Sequence, residues 1–136
     1  MTFDLIVRGG MLPDGTIADI GIIGETIAAI EPELNVTAGT AIDAHGNLVS
    51  PPFVDPHFHM DATLSLGIPR INASGTLLEG ISLWGELKPL LTHEAVRERA
   101  LAYCDWAVSM GLLAIRTHVD VCDTRLLAVE ALLDVK

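Results

Sequence analysis

Apolar, β-branched side chains alternate with clusters of turn residues through the first third of the chain. The apolar runs are residues 3–7, 18–23 and 26–30. The clusters between them are Gly9-Gly10, Pro13-Asp14-Gly15 and Gly24-Glu25. Such clusters favour turns, because glycine reaches positive φ angles and proline fixes φ at a value suited to a turn. The pattern predicts a meander of short β-strands within a first, β-rich domain at residues 1–50.

Prolines interrupt the next apolar run, at Pro51, Pro52 and Pro56. Proline lacks a backbone N–H and fixes φ, which excludes a helix and disfavours a central antiparallel strand. We therefore predict a short strand over residues 53–57 that ends in an exposed loop.

Glycine and proline recur between residues 60 and 91. They are Gly67, Pro69, Gly75, Gly80, Gly85 and Pro89. Because both residue types interrupt helices and strands, this stretch predicts a long connection with only short regular elements. Connections of this length usually serve a function.

A helical period follows, with Thr92 as its N-cap and Glu94 in its first turn. The apolar positions at helical spacing are Ala95, Val96, Ala100, Tyr103, Cys104, Ala107 and Val108. Gly111 is suited to end the run, so we predict a helix over residues 93–110. Residues 112–119 then predict a buried strand, and Thr124 predicts the cap of a second helix over residues 125–135. Strands that alternate with helices indicate an α/β domain with parallel strands at residues 51–136.

Composition narrows the function classes. The chain has 136 residues, 50% of them hydrophobic, and a net charge of −10. Nucleic acid is excluded as a partner because phosphate binding requires clustered Lys and Arg. Every apolar run is shorter than the roughly 20 residues of a membrane span, and no signal peptide is recognisable at the start, which favours a cytoplasmic protein without membrane contact. The last predicted helix reaches the final residue without a closing glycine, so we expect a longer natural chain.

The strongest chemical signal is the motif His57-Phe58-His59 at the end of a predicted strand. Residues two apart in an extended chain point to the same side, so both imidazoles can reach one metal ion while Phe58 faces the core. The same spacing also arises by chance in a chain with five histidines, which leaves a purely structural role open.

Three further side chains are candidate partners of such a site. His118 ends the second predicted strand and can bind substrate or orient a ligand, with Asp120 holding its ring. Asp61 can hold a ligand histidine. The alternatives are a hydrogen-bonded core histidine for His118 and a turn cap for Asp61.

Four ordered motifs resemble the cytosine deaminase branch of the metal-dependent amidohydrolase superfamily. They are residues 51–61 around the histidine pair, residues 74–81 followed by Trp84, residues 90–93, and residues 116–121. The first fifty residues also fit, weakly, the small β-sandwich that precedes the barrel in that superfamily. The resemblance implies a fold made of the N-terminal part of this sandwich and the first β/α units of a distorted TIM (β/α)8 barrel.

The resemblance also implies a site. One divalent metal ion, zinc or iron, takes two ligands from His57 and His59. The remaining ligands and the acid/base glutamate come from later strands that this sequence does not contain. The family's loop around Leu77 contacts the substrate through backbone groups, and Glu79 is expected to brace that loop.

The activity implied is hydrolytic deamination of a small nitrogen heterocycle, foremost cytosine to uracil and ammonia. Two alternatives stay open. A related amidohydrolase would act on an N-substituted triazine or another cyclic amidine, and a chain that truly ended at Lys136 would be an inactive remnant. Superfamily members often assemble into oligomers, so a homo-oligomer is a further expectation.

Overall fold

The computed structural model describes residues 2–136 and divides into two compact units, the first ending at Pro51 and the second comprising Pro52–Lys136. None of the helices within residues 2–136 combines the length and the apolar character needed to cross a lipid bilayer.

The first unit is a four-stranded mixed sheet. Its strands are β1 Phe3–Met11, β2 Ile17–Ile23, β3 Thr26–Glu31 and β4 Ala38–Asp43, arranged in the order β3-β2-β1-β4. The three strands that the apolar runs predict form the expected antiparallel meander. The fourth, β4, pairs in parallel with β1 and was not predicted, because its weakly apolar sequence is stabilised by a partner about thirty-five residues earlier in the chain.

The predicted turn at Gly9-Gly10 is wrong. Strand β1 continues through both glycines, and the register with β2 shifts between Val7 and Gly10, so the pair forms a β-bulge. Gly9 has a φ of +60°, which only glycine adopts without strain. The bulge lets β1 extend beyond the predicted residues 3–7 while remaining paired.

Asp19 is a buried carboxylate in β2, with only 6% of its surface exposed. Its oxygens accept hydrogen bonds from the backbone N–H groups of Gly9 and Leu34 and from the Arg8 guanidinium, at 2.8–3.0 Å. Burying a carboxylate is unfavourable unless such donors compensate it. Asp19 therefore ties the bulge and the segment after β3 to the centre of the sheet.

The second unit contains two parallel strands and three helices. They are β5 Phe53–Phe58, α1 Leu77–Leu87, α2 His93–Ser109, β6 Leu112–Thr117 and α3 Leu127–Leu133. Short 3-10 turns follow β5 at Met60–Ala62 and α1 at Lys88–Leu90. The buried core lies where the helices pack, with Ala100 of α2 and Ala131 of α3 both fully enclosed.

The prediction of α2 is confirmed almost residue for residue. The Thr92 hydroxyl accepts a hydrogen bond from the backbone N–H of Ala95, and Gly111 follows the helix with a φ of +78°. The two capping residues and the apolar period between them therefore predicted both ends of the helix.

Helix α1 corrects the prediction that residues 60–91 hold only short elements. Its N-cap Thr76 accepts from the backbone N–H of Glu79, and the Glu79 carboxylate accepts from the backbone N–H of Ser74. The Thr76 hydroxyl thus satisfies one free donor of the first turn, and Glu79 fastens the preceding loop to the helix. The helix forms despite Gly80 and Gly85, which each destabilise a helix by about 1 kcal/mol relative to alanine.

Two other features of the second unit differ from the predictions. Helix α3 begins at Leu127 because Leu126 adopts a left-handed φ of 51°, so Thr124 is not its cap. Strand β6 was predicted to be buried, yet Leu113 is 60% exposed. Within residues 2–136 the strand pairs only with β5, so its other edge and one of its faces lack cover.

We predict that Asp19→Asn lowers the free energy of unfolding by about 1–3 kcal/mol, because an amide at this buried position cannot accept as strongly from three donors. Urea denaturation followed by circular dichroism measures the change. Asp105→Asn, the same substitution on an exposed face of α2, is the control and should leave the transition unchanged. Equal midpoints for both variants would show that the Asp19 contacts do not stabilise the fold.

The contribution of Asp19 should also depend on pH. Hydrogen bonds from the backbone N–H of Leu34, then from the backbone N–H of Gly9 and the Arg8 side chain, lower the pKa of Asp19 below its ordinary value of 3.8. Because this pKa is lower in the folded state than in the unfolded state, the ionised carboxylate stabilises the fold above pH 3.8. The stabilisation is lost as the pH falls through the folded-state pKa. Urea midpoints of the unmodified chain and Asp19→Asn should therefore converge below about pH 3.8. A difference that persists undiminished in acid would contradict this.

Candidate metal centre

His57 and His59 project from the same side of the chain at the carboxyl end of β5. Their ring centroids are 5.6 Å apart and both side chains are exposed. Phe58 between them faces the other way, packs against the core and stacks on Tyr103 with ring centroids 4.4 Å apart. The alternation expected of an extended chain is therefore present, and two imidazoles converge over one patch of surface.

The end of β6 fixes the backbone of this motif. The N–H of His118 donates to the carbonyl of Phe58 at 2.7 Å, and the N–H of Met60 donates to the Thr117 hydroxyl at 3.0 Å. These two bonds hold the segment on both sides of His59. The parallel pairing of β5 and β6 thus positions the histidine pair.

His118 lies within the same group of rings. Its imidazole stacks on His57 at 3.9 Å and lies 5.9 Å from His59, measured between centroids. Desolvation of the ring, and then repulsion from His57 and Arg116, lowers the pKa of His118. Its Nδ1 atom is buried and has no hydrogen-bond partner. The structure thus brings His118 to the pair, where its ring packs against that of a candidate ligand.

Asp61 is the buried carboxylate of the site, with 1% of its surface exposed. One oxygen lies 3.6 Å from Nδ1 of His59, and the other accepts from the backbone N–H of Asp120 at 2.8 Å. An acidic group beside one ring nitrogen orients an imidazole so that the other nitrogen can bind a metal ion. Asp61 lies beside His59, and its role as the partner of a ligand histidine stays a prediction.

The prediction that Asp120 holds the ring of His118 is wrong. Its carboxylate accepts from the indole N–H of Trp84, from the backbone N–H of Cys122 at 2.7 Å and from the Lys88 ammonium at 3.4 Å. The Cys122 and Trp84 donors, in that order, hold the pKa of Asp120 well below its usual range. The contact with Trp84 was missed because it joins residues 36 positions apart and no local pattern announces it.

Leu77 is the first residue of α1, and its side chain is 79% exposed. A cavity of about 260 Å³ beside His59 is lined by His59, Asp61, Ala62, Trp84 and Asp120. Leu77 does not line that cavity, so a substrate role for Leu77 stays a prediction.

Glu79 does brace the loop before α1. Its carboxylate accepts from the backbone N–H and the hydroxyl of Ser74 and from the Arg70 guanidinium, and these contacts lower the pKa of Glu79 to about 2. Arg70 also pairs with Glu86, about two turns further along the same face of the helix. The loop is therefore fastened to α1 at two points.

The donor set fits part of a metal site. His57 and His59 supply two nitrogen donors suited to zinc or iron. Residues 2–136 contain no cluster of three or more His, Cys, Asp or Glu side chains placed to hold a metal ion. Catalytic zinc sites use three protein ligands and an open position, so these two histidines are a partial set.

Known proteins resemble this chain over nearly its whole length. The 5-methylcytosine deaminase from Klebsiella pneumoniae, solved with phosphonocytosine bound, is 39% identical with a TM-score of 0.86, over 96% of this chain and 33% of that one. N-isopropylammelide isopropyl amidohydrolase of Pseudomonas sp. (strain ADP) is 35% identical over 98% of this chain and 35% of that protein. The structure of N-isopropylammelide isopropylaminohydrolase from Burkholderia multivorans ATCC 17616 is 27% identical with a TM-score of 0.74, over 96% of this chain and 33% of that one.

The chain therefore spans about a third of the length of these relatives. The structural matches confirm the α/β fold class, with the chain corresponding to the N-terminal part of a TIM-barrel amidohydrolase. The sequence model of the Amidohydrolase family matches residues 40–134, a range that includes both strands of the second unit and all the histidines of the candidate site. The chain belongs to the amidohydrolase family.

Proposed function

We propose that the chain is part of a metal-dependent hydrolase that deaminates cytosine or a close ring analogue. The observation that carries the proposal is the convergence of His57 and His59 at the end of β5, with ring centroids 5.6 Å apart. It is supported by the likeness to 5-methylcytosine deaminase over 96% of the chain. The net reaction adds water across the C–N bond to the exocyclic amine, so that cytosine and water become uracil and ammonia.

His57 and His59 would hold the metal ion, zinc or iron. When bound, a divalent ion lowers the pKa of water and so makes a hydrolytic nucleophile available near neutral pH. The chain's own residues prepare the two ligands. Asp61 orients the ring of His59, and His118 packs against the ring of His57. In the family that the sequence resembles, the proton-transferring glutamate lies outside this sequence.

A second candidate substrate is an N-alkylated triazine. Two relatives named for N-isopropylammelide match this chain over 98% and 96% of its length. Deamination and removal of an alkylamino group both replace an exocyclic nitrogen by oxygen from water. Pocket residues outside residues 2–136 would then determine which of the two leaving groups is accepted.

We expect His57→Ala and His59→Ala, made separately in the intact protein, to abolish stoichiometric metal binding, because each removes a direct donor. Metal content by plasma mass spectrometry is the measurement, with kcat/KM falling by at least roughly 100-fold, beyond what outer-shell partners usually cost. His45→Ala is the matched control, since the His45 ring is 76% exposed in a turn of the first unit. Retention of one metal ion per chain in both variants would refute the site.

The substrate assignment is tested by two products. The intact protein loaded with zinc or iron should release ammonia from cytosine with a higher kcat/KM than it releases isopropylamine from N-isopropylammelide. Ammonia is measured by a coupled assay and isopropylamine by chromatography. Faster release of isopropylamine would reject cytosine in favour of the triazine while leaving the metal site in place.

A further inference from the structure

We propose that Trp84 is a positioning residue for the metal site. Its indole N–H donates to Asp120, the backbone N–H of Asp120 donates to Asp61, and an oxygen of Asp61 lies 3.6 Å from Nδ1 of the proposed ligand His59. We call these contacts the Trp84 relay. The inference rests on the proposed function, because the relay ends at a proposed metal ligand.

The first step concerns Asp61. Within the 3-10 turn after His59, its carboxylate is almost fully buried and is satisfied by two backbone donors, Ala62 at 3.1 Å and Asp120 at 2.8 Å. The Ala62 donor belongs to the same turn and moves with it. Asp120 is therefore the donor that fixes the carboxylate relative to the rest of the unit.

The second step concerns Asp120. It lies three residues beyond the end of β6, outside any regular element, where the backbone N–H of Cys122 from the same segment donates to one of its oxygens. Its carboxylate receives the Trp84 indole N–H and the Lys88 ammonium, which come from α1 and the turn that follows it. These contacts anchor the segment after β6 to α1, and with it the N–H that Asp61 requires.

Trp84 is better suited to this anchoring than Lys88. The indole body packs against the hydrophobic core while its N–H points at the carboxylate, so the donor is held rigidly. Lys88 contacts the same oxygen at 3.4 Å from a long, flexible side chain. Removing the indole N–H should therefore loosen Asp120 even with Lys88 in place.

The relay residues also leave room for such a movement. His59, Asp61, Trp84 and Asp120 line a common cavity of about 260 Å³. A carboxylate that loses its indole donor has space there to rotate or to accept a water molecule, and either response would weaken the anchoring of the Asp120 segment to α1.

The test is Trp84→Phe in the intact protein, which keeps an aromatic side chain and removes the donor. Cobalt(II) affinity is measured by competition with a chelator, together with the visible absorption spectrum of the bound cobalt. We expect affinity to fall by about 10- to 100-fold, the usual effect of losing an outer partner of a metal ligand, with an altered spectrum. Trp106→Phe is the matched control, because Trp106 is exposed on α2, and it should change affinity by less than about twofold.

A double mutant tests the route. If Trp84 acts through Asp61, adding Trp84→Phe to Asp61→Asn should weaken cobalt binding no further than Asp61→Asn alone. Additive losses would overturn the relay. So would a Trp84→Phe protein whose metal-free form melts earlier but binds cobalt with unchanged affinity and spectrum, since that is the behaviour of a purely structural residue.

Two outcomes separate this inference from the proposed function. If the unmodified protein binds no cobalt, both fail. If it binds cobalt and Trp84→Phe binds it equally well, only the relay fails. Should Trp84→Phe not fold, Asp120→Asn weakens the same contact from the acceptor side, and unchanged cobalt binding in that variant likewise overturns the proposal.

Discussion

The parallel pairing of β5 with β6 is the constraint on which the candidate site depends. The backbone N–H groups of His118 and Met60 donate hydrogen bonds that hold the chain on either side of His59. These bonds fix the backbone from which the two imidazoles project. Parallel strands also end at the same edge of a sheet, which explains how residues sixty positions apart meet there. Asp61 and His118 gain their roles from this one pairing.

Local signals predicted the elements that local physics determines. Thr92 and Gly111 marked both ends of α2, and the spacing of His57 and His59 around Phe58 correctly predicted one shared side. Each of these inferences needs only the period of an element or the geometry of its cap. They required no knowledge of what packs against it.

The predictions that failed depend on distant partners or on competition between local signals. Strand β4 is stabilised by β1, and the Asp120 carboxylate accepts a hydrogen bond from the Trp84 indole on α1. Gly80 and Gly85 argued against α1, but the helix forms with Thr76 as its cap and with Glu79 fastened to the preceding loop. A sequence alone does not show which distant residues come into contact in the fold. Tertiary contacts also override helix propensities that differ by only about 1 kcal/mol.

Residues 57–61 serve two purposes within a single short segment. The same stretch presents the donor rings on the open side and buries the bracing carboxylate on the other, with His59 both following the strand and preceding the turn. Because alternate residues of a strand face opposite ways, adding or removing one residue within β5 would exchange the inner and outer positions of Phe58 and the two histidines. The length of this segment is therefore constrained together with the identity of its histidines.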